Sequence, residues 1–98
     1  MRIELLRGAE ADVLEHFVRL EEQRAGSGER FYRSLDAALE LVRRQPQMAP
    51  LYRANVRRLV LRTFRLGVFY AIEGERLMVG AILDLRQNPA QIERRVKG

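Results

Sequence analysis

Residues 56–84 read "VRRLVLRTFRLGVFYAIEGERLMVGAILD", and the periodicity of this stretch decides the fold. Its first third alternates. Val56, Arg58, Val60, Arg62 and Phe64 share one face, and Arg57, Leu59, Leu61 and Thr63 share the other, which is the period of two of a strand. "LGVFYAI" (66–72) and "RLMVGAIL" (76–83) are β-branched and aromatic runs, separated by "EGER", whose Glu73-Gly74 suits a tight hairpin. Three such runs in succession predict an antiparallel meander. Leucines crowd the Arg57 side, so that side is expected to meet the core and leave Arg57 near an edge. Arg58 and Arg62 are expected on the open face.

Upstream, "RIELL" (2–6) suits a short first strand. Ala9, Val13, Phe17 and Leu20 then recur at helical spacing, with Leu14 and Val18 beside them, while Glu10, Asp12, Glu15, Arg19 and Glu22 are expected to face away. "GSG" (26–28) breaks the pattern, and Phe31, Leu35, Ala38, Leu39 and Val42 form a second helical stripe. That helix must end by Gln45-Pro46, because the residue before a proline is pushed out of the helical region. Two helices joined by so short a link should form an antiparallel hairpin. "QPQMAPLYRAN" (45–55), with two prolines and little periodicity, reads as a loop.

Downstream, "ILDLRQNP" (82–89) passes from apolar to charged. Asn88 as N-cap, Pro89 at the first helical position and Gln91 at the third predict a terminal helix from about Pro89 to Val96. The cations that close it suit a helix C-terminus. The expected fold class is therefore α+β, in the order β-α-α-β-β-β(-α), with the helical hairpin packed on an antiparallel sheet. Residues 1–98 are expected to form a single domain. Val13, Leu14, Phe17, Leu35, Leu39, Leu59, Leu61, Val79 and Ile82 are expected in its core.

Composition narrows the chemistry. A chain that is 47% hydrophobic and 32% charged, with three prolines, is that of a folded protein rather than a disordered one. It has no cysteine, which removes disulfides, thiolate metal sites and a Cys nucleophile. That fits a reducing cytoplasm. No apolar run approaches the ~18 residues of a membrane span, and "MRIELLRGAEAD" turns acidic too soon for a signal peptide. The expected location is cytoplasmic, away from membranes. The net charge of +5 is unevenly spread: residues 41–72 hold seven arginines and no acid. Such a positive field suits phosphates or an acidic protein partner.

Most catalytic constellations lack their parts. His16 is the one histidine, with no cysteine and no second histidine to join it, so its expected role is structural. The glycines form no phosphate loop, and Ser27 and Ser34 lie in no nucleophile elbow. No metal or other cofactor is expected. What remains is an arginine-lined sheet, able to bind an acidic partner or to stabilise a phosphoryl transition state without a metal.

The order of elements and the residues from Arg57 to Pro89 resemble the RelE/ParE superfamily, the toxins of bacterial toxin–antitoxin pairs that include plasmid-stabilisation proteins. "RRLVLRTF", then "GVFY", the acidic turn "EGER" and "MVGAILDLRQNP" carry the likeness. In the ParE branch an arginine-rich strand ends in Phe, the next in Tyr, and the last closes on His-x-Arg before Asp-Pro. Phe64, Tyr70, Arg86 and Pro89 fit. Arg65-Leu66 stand where ParE often has Pro-Tyr, Asp84 replaces the usual His, and Asn88 the usual Asp.

The ParE resemblance implies a toxin that inhibits DNA gyrase by binding, with no chemistry of its own and no catalytic residue. A ParD-like antitoxin would neutralise it, with a segment that folds on the toxin's surface. A homodimer or a toxin–antitoxin heterotetramer fits the same reading. The RelE branch implies instead a ribosome-dependent messenger-RNA endoribonuclease, the one case in which direct nucleic-acid binding is expected. Its second-strand arginine is Gly67 here, and its terminal-helix tyrosine is Ile92. Arg58 and Arg86 would supply cations, but arginine is a poor proton donor or acceptor, and Lys97 is the only lysine. A third reading is a diverged, non-toxic protein that only binds its antitoxin. The expected partner-binding residues are Arg57, Arg58, Arg62, Arg65, Asp84 and Arg86. Asp84 and Arg86, two apart on one strand face, are expected to form an ion pair or a partner-facing edge.

Overall fold

The structure, a computed structural model, describes residues 1–97. Strand β1 (Arg2–Leu5) leads into helices α1 (Arg7–Gln23) and α2 (Ser27–Arg44), followed by strands β2 (Leu51–Arg53), β3 (Val56–Leu61), β4 (Leu66–Glu73) and β5 (Arg76–Asp84) and helix α3 (Pro89–Lys97). The strands form one sheet in the order β1-β5-β4-β3-β2. The meander is antiparallel as the alternation predicts. β1 adds to it in parallel, with Arg2 opposite Arg76 and Leu5 opposite Val79, so the sheet as a whole is mixed. Its β4–β5 hairpin turns on Gly74-Glu75, and Gly74 takes a φ of 61°. Glycine at the first central position is what a type II′ turn selects.

The helical hairpin covers one face. Phe31, Leu35 and Val42 of α2 and Ala9 of α1 pack on Leu61, Leu66, Val68, Tyr70, Leu77, Val79 and Ile82. Phe17 and Tyr32 stack with ring centroids 4.4 Å apart. A Cβ on Gly28 would lie 2.6 Å from Cδ2 of Phe17, so only glycine lets the two helices approach this closely. Helix α3 lies on the opposite face, where Ile92 packs with Phe69, Ala81 and Leu83. Asn88 caps it as predicted, its Oδ1 accepting from the N–H of Ala90 at 2.8 Å.

Five local expectations give way. β3 ends at Leu61, so Phe64 lies in the turn beyond it and packs on Phe31 of α2 instead of sharing the open face of Arg58. Leu51–Arg53 is a short edge strand inside the expected loop. Two prolines before it and a register irregularity against β3 hide its period. The helical break falls before Ser27, which begins α2 with Gly28 rather than lying in a linker. Leu14 is 61% exposed, not core. Asp12 is buried rather than facing solvent.

The last two corrections share a cause. β1 stops opposite Val79, whereas β5 continues to Asp84. Alongside that overhang runs α1, not another strand. Asp12 Oδ2 accepts from the Ile82 N–H at 2.9 Å, and His16 Nε2 donates to the Ile82 carbonyl at 2.6 Å. One helical turn separates the two side chains, so together they replace the backbone partners that β1 does not reach. The face that meets the strand edge is therefore polar, and Leu14 turns outward.

Candidate functional site: an arginine-bearing sheet

Each expected site residue has a distinct setting. Arg57 pairs with Tyr70 across to β4, on the helix-covered side. Its Nη1 donates to the carbonyls of Ala49 at 2.7 Å and Gln47 at 3.2 Å, pinning the segment between α2 and β2. Tyr70 serves the same segment. Its hydroxyl donates to the Pro46 carbonyl at 2.8 Å, and burial pushes its pKa up.

Arg58 lies opposite Phe69, on the face that carries α3. Its guanidinium sits 5.5 Å from the centre of the Tyr52 ring, which meets Phe69 edge-on at 5.2 Å. This cation–π pair belongs to the open part of the sheet, because Arg58 and Tyr52 are only half-buried. The sequence hid Tyr52 inside what reads as a loop. Its alternation partner, Arg58, was visible.

Arg62 and Arg65 stand exposed in the turn between β3 and β4. Arg65 has a φ of 55°, a backbone shape that glycine or asparagine more usually takes. A hydrogen bond from the Leu85 N–H to its carbonyl, at 2.9 Å, holds it there. The turn thus joins the end of β5, where Asp84 lies opposite Leu66.

Asp84 and Arg86 form a two-pronged ion pair. Arg86 Nε donates to Asp84 Oδ1 at 3.0 Å and Nη2 to Oδ2 at 2.9 Å, while the Arg86 backbone N–H also donates to Oδ1 at 2.9 Å. The Arg86 guanidinium is the main cause of an Asp84 pKa lowered to about 2, with that N–H and the charge of Arg19 adding to it. Arg86 is correspondingly raised by Asp84. Its charge is committed within the chain. Among the described residues, Arg58, Arg62 and Arg65 take part in no ion pair.

Two further clusters escaped sequence reading. Arg95 of α3 donates to both carboxylate oxygens of Asp12, at 3.1 and 2.8 Å, and Arg19 Nη2 donates to His16 Nδ1 at 3.1 Å. Asp12 therefore bridges the terminal helix to the Ile82 edge. Arg53 pairs with Glu93 and fixes the other side of α3. No three His, Asp or Glu side chains among the described residues are placed to hold a metal ion. No helix among them is long and apolar enough to cross a membrane.

Comparison with known proteins agrees with this fold. None of the curated proteins matches the sequence. A structure described as the chromosomal ParDE toxin–antitoxin system from P. aeruginosa superposes with a TM-score of 0.66 over 88% of this chain and 97% of that one. At 17% identity the likeness is one of fold. A family model described as ParE toxin of type II toxin-antitoxin system, parDE, matches residues 3–89. The resemblance read from "RRLVLRTF" to "RQNP" is borne out, and the chain belongs to the ParE toxin family of type II toxin–antitoxin systems.

Proposed function

We propose that this toxin acts in the cytoplasm by binding DNA gyrase and blocking its activity, without chemistry of its own, and that a ParD-like antitoxin neutralises it. The observation that carries this reading is how the cations are distributed. A metal-free ribonuclease needs cations around the phosphorane and an acid and a base beside them. Arg86, one of the two cations available for that work, is engaged on both prongs by Asp84. The second-strand position that would hold another cation is Gly67, which has no side chain to offer. Ile92, which stands at the terminal-helix tyrosine's position, is buried between α3 and the sheet and carries no polar group. What is left is a set of uncommitted arginines, Arg58, Arg62 and Arg65, suited to an acidic protein surface.

The test compares Arg58→Ala and Arg62→Ala with Arg57→Ala, by growth inhibition on induction and by gyrase supercoiling in vitro. Loss of both activities in the Arg58/Arg62 double variant is expected. Wild-type protein that leaves supercoiling intact but cleaves ribosome-bound messenger RNA would transfer the assignment to the RelE-type reaction. Protein that does neither, yet binds its antitoxin, would be a non-toxic member.

A further inference from the structure

Strand β3 outruns its outer neighbour. β2 faces it only at Val56 and Arg57, and the Pro50 carbonyl takes the Arg58 N–H at 3.1 Å. The N–H and C=O of one residue in a strand point to the same side, and the side alternates along the chain. The β3–β4 register is unbroken from Val56 to Leu61. The N–H and C=O of Val60 therefore point the same way as the Arg58 N–H, past the end of β2. Neither has a backbone partner among the described residues. An open edge of this kind is a template for another strand.

The surroundings of that edge are specific. A cleft of about 350 Å³ runs between it and α2, lined by Ser34, Ala37, Val60, Leu61, Arg62 and Phe64. The small side chains of Ser34 and Ala37 leave the space. Leu41, one turn beyond Ala37 on α2, is 44% exposed. Val60 is itself 38% exposed, with Arg58 and Arg62 on either side of it and, among the described residues, no carboxylate paired with them.

We propose that the Val60 edge of β3 is a strand-addition site for an extended acidic peptide segment in which apolar and carboxylate residues alternate. An incoming strand would exchange hydrogen bonds with Val60, as in peptide recognition by edge augmentation. Its residues facing α2 would be apolar and seat against Ala37 and Leu41. Those on the Val60 face would be carboxylates, placed between Arg58 and Arg62. A second copy of this chain is a poorer occupant, because edge-to-edge pairing would set arginine against arginine. The proposal deepens the antitoxin-binding part of the function above and rests on it, since such a segment would come from the antitoxin.

The experiment uses the full chain, ¹⁵N-labelled, and two short synthetic peptides. One alternates valine with glutamate, the other valine with lysine. The glutamate peptide is expected to shift the amide signals of Val60 and Arg62, to slow their hydrogen exchange, and to weaken as salt rises. Val60→Pro removes only a donor that the free protein leaves unpaired, and an edge strand tolerates proline at such a position. Ala37→Leu fills the cleft with a good helix former. Each is expected to weaken binding at least about tenfold, as loss of a hydrogen bond or of a side-chain seat does. Should Val60→Pro fail to fold, Ala37→Leu alone decides. No shift at the edge with excess peptide, shifts centred elsewhere, or equal binding of the lysine peptide would overturn the proposal. Gyrase takes no part in this measurement, so such a failure leaves the gyrase reading standing, and the supercoiling assay can fail without touching the edge.

Discussion

His16 Nε2 donates to the carbonyl of Ile82, 66 residues later, while Asp12 takes the N–H of the same residue. The one histidine is thus a backbone partner for a central strand that would otherwise carry unpaired groups into the core. Arg19 on Nδ1 fixes the tautomer, with the proton on Nε2.

Removing either side chain should cost accordingly. His16→Ala leaves the buried Ile82 carbonyl unpaired and is expected to destabilise by about 1–3 kcal/mol. Asp12→Ala should cost at least as much, because it strands the Ile82 N–H and frees Arg95. Asp12→Asn keeps an acceptor for the N–H and should be milder. Urea denaturation of the three variants orders them; a His16→Ala midpoint equal to wild type would refute the role.

Gly28 predicts a steric cost. With a Cβ already 2.6 Å from Phe17, Gly28→Val must push the α1–α2 pair apart, for about 1–3 kcal/mol of overpacking. Calorimetry of this variant against Gly26→Asn gives the contrast. Gly26 has a φ of 89° with nothing within 4 Å of its missing Cβ, so its cost is one of backbone conformation alone.

Arg57 and Arg58, adjacent in sequence, should separate in stability. Arg57→Ala releases two carbonyls of the segment before β2 and is expected to cost about 1.5–3 kcal/mol, the range for bonds to a charged donor. Arg62→Ala, on the exposed turn, should stay within about 0.5 kcal/mol. Equal melting temperatures for the two variants would contradict this.

The Asp84–Arg86 pair sets an acid dependence. The Asp84 pKa is depressed to about 2 in the folded chain, from an ordinary 3.8. Its contribution is present above the unfolded value and is lost as pH falls through the folded one. The pair stands partly in solvent, so the contribution is expected below about 1 kcal/mol. Asp84→Asn should flatten the stability curve between about pH 4 and pH 2 while leaving it otherwise parallel to wild type.

The fold was legible where period alone decides it. The alternation from Val56 to Leu61 placed Arg57 and Arg58 on opposite faces, and Asn88-Pro89 marked the start of α3. Its extension to Phe64 failed, because the chain leaves the strand at Leu61 and the ring turns back onto Phe31. β2 was not legible, because three residues are too few to show a period. Asp12 read as outward-facing, and the partner of a structural His16 stayed unknown, because helical periodicity sorts polar from apolar. It cannot know that a helix faces a strand edge, where polar groups are needed. Leu14 misled for the same reason. At the site, the arginine field was plain from composition, but which charges are spent internally depends on Asp84 and on the carbonyl of Ala49, and those meet their arginines only in the folded chain.

The parallel seat of β1 bears on the order in which this molecule assembles. β1 sits between solvent and β5, so it has no neighbour in the sheet until the chain has grown past Val79. Closing that contact spans nearly the whole sequence and comes at the end of folding, because long loops are entropically costly to close early. Substitutions in β1, such as Ile3→Val, should therefore speed unfolding and leave the refolding rate nearly unchanged in stopped-flow measurements. A nascent chain shorter than about 80 residues carries the arginine-rich strand without the finished sheet that presents it. The toxin surface is complete only once β5 has emerged from the ribosome.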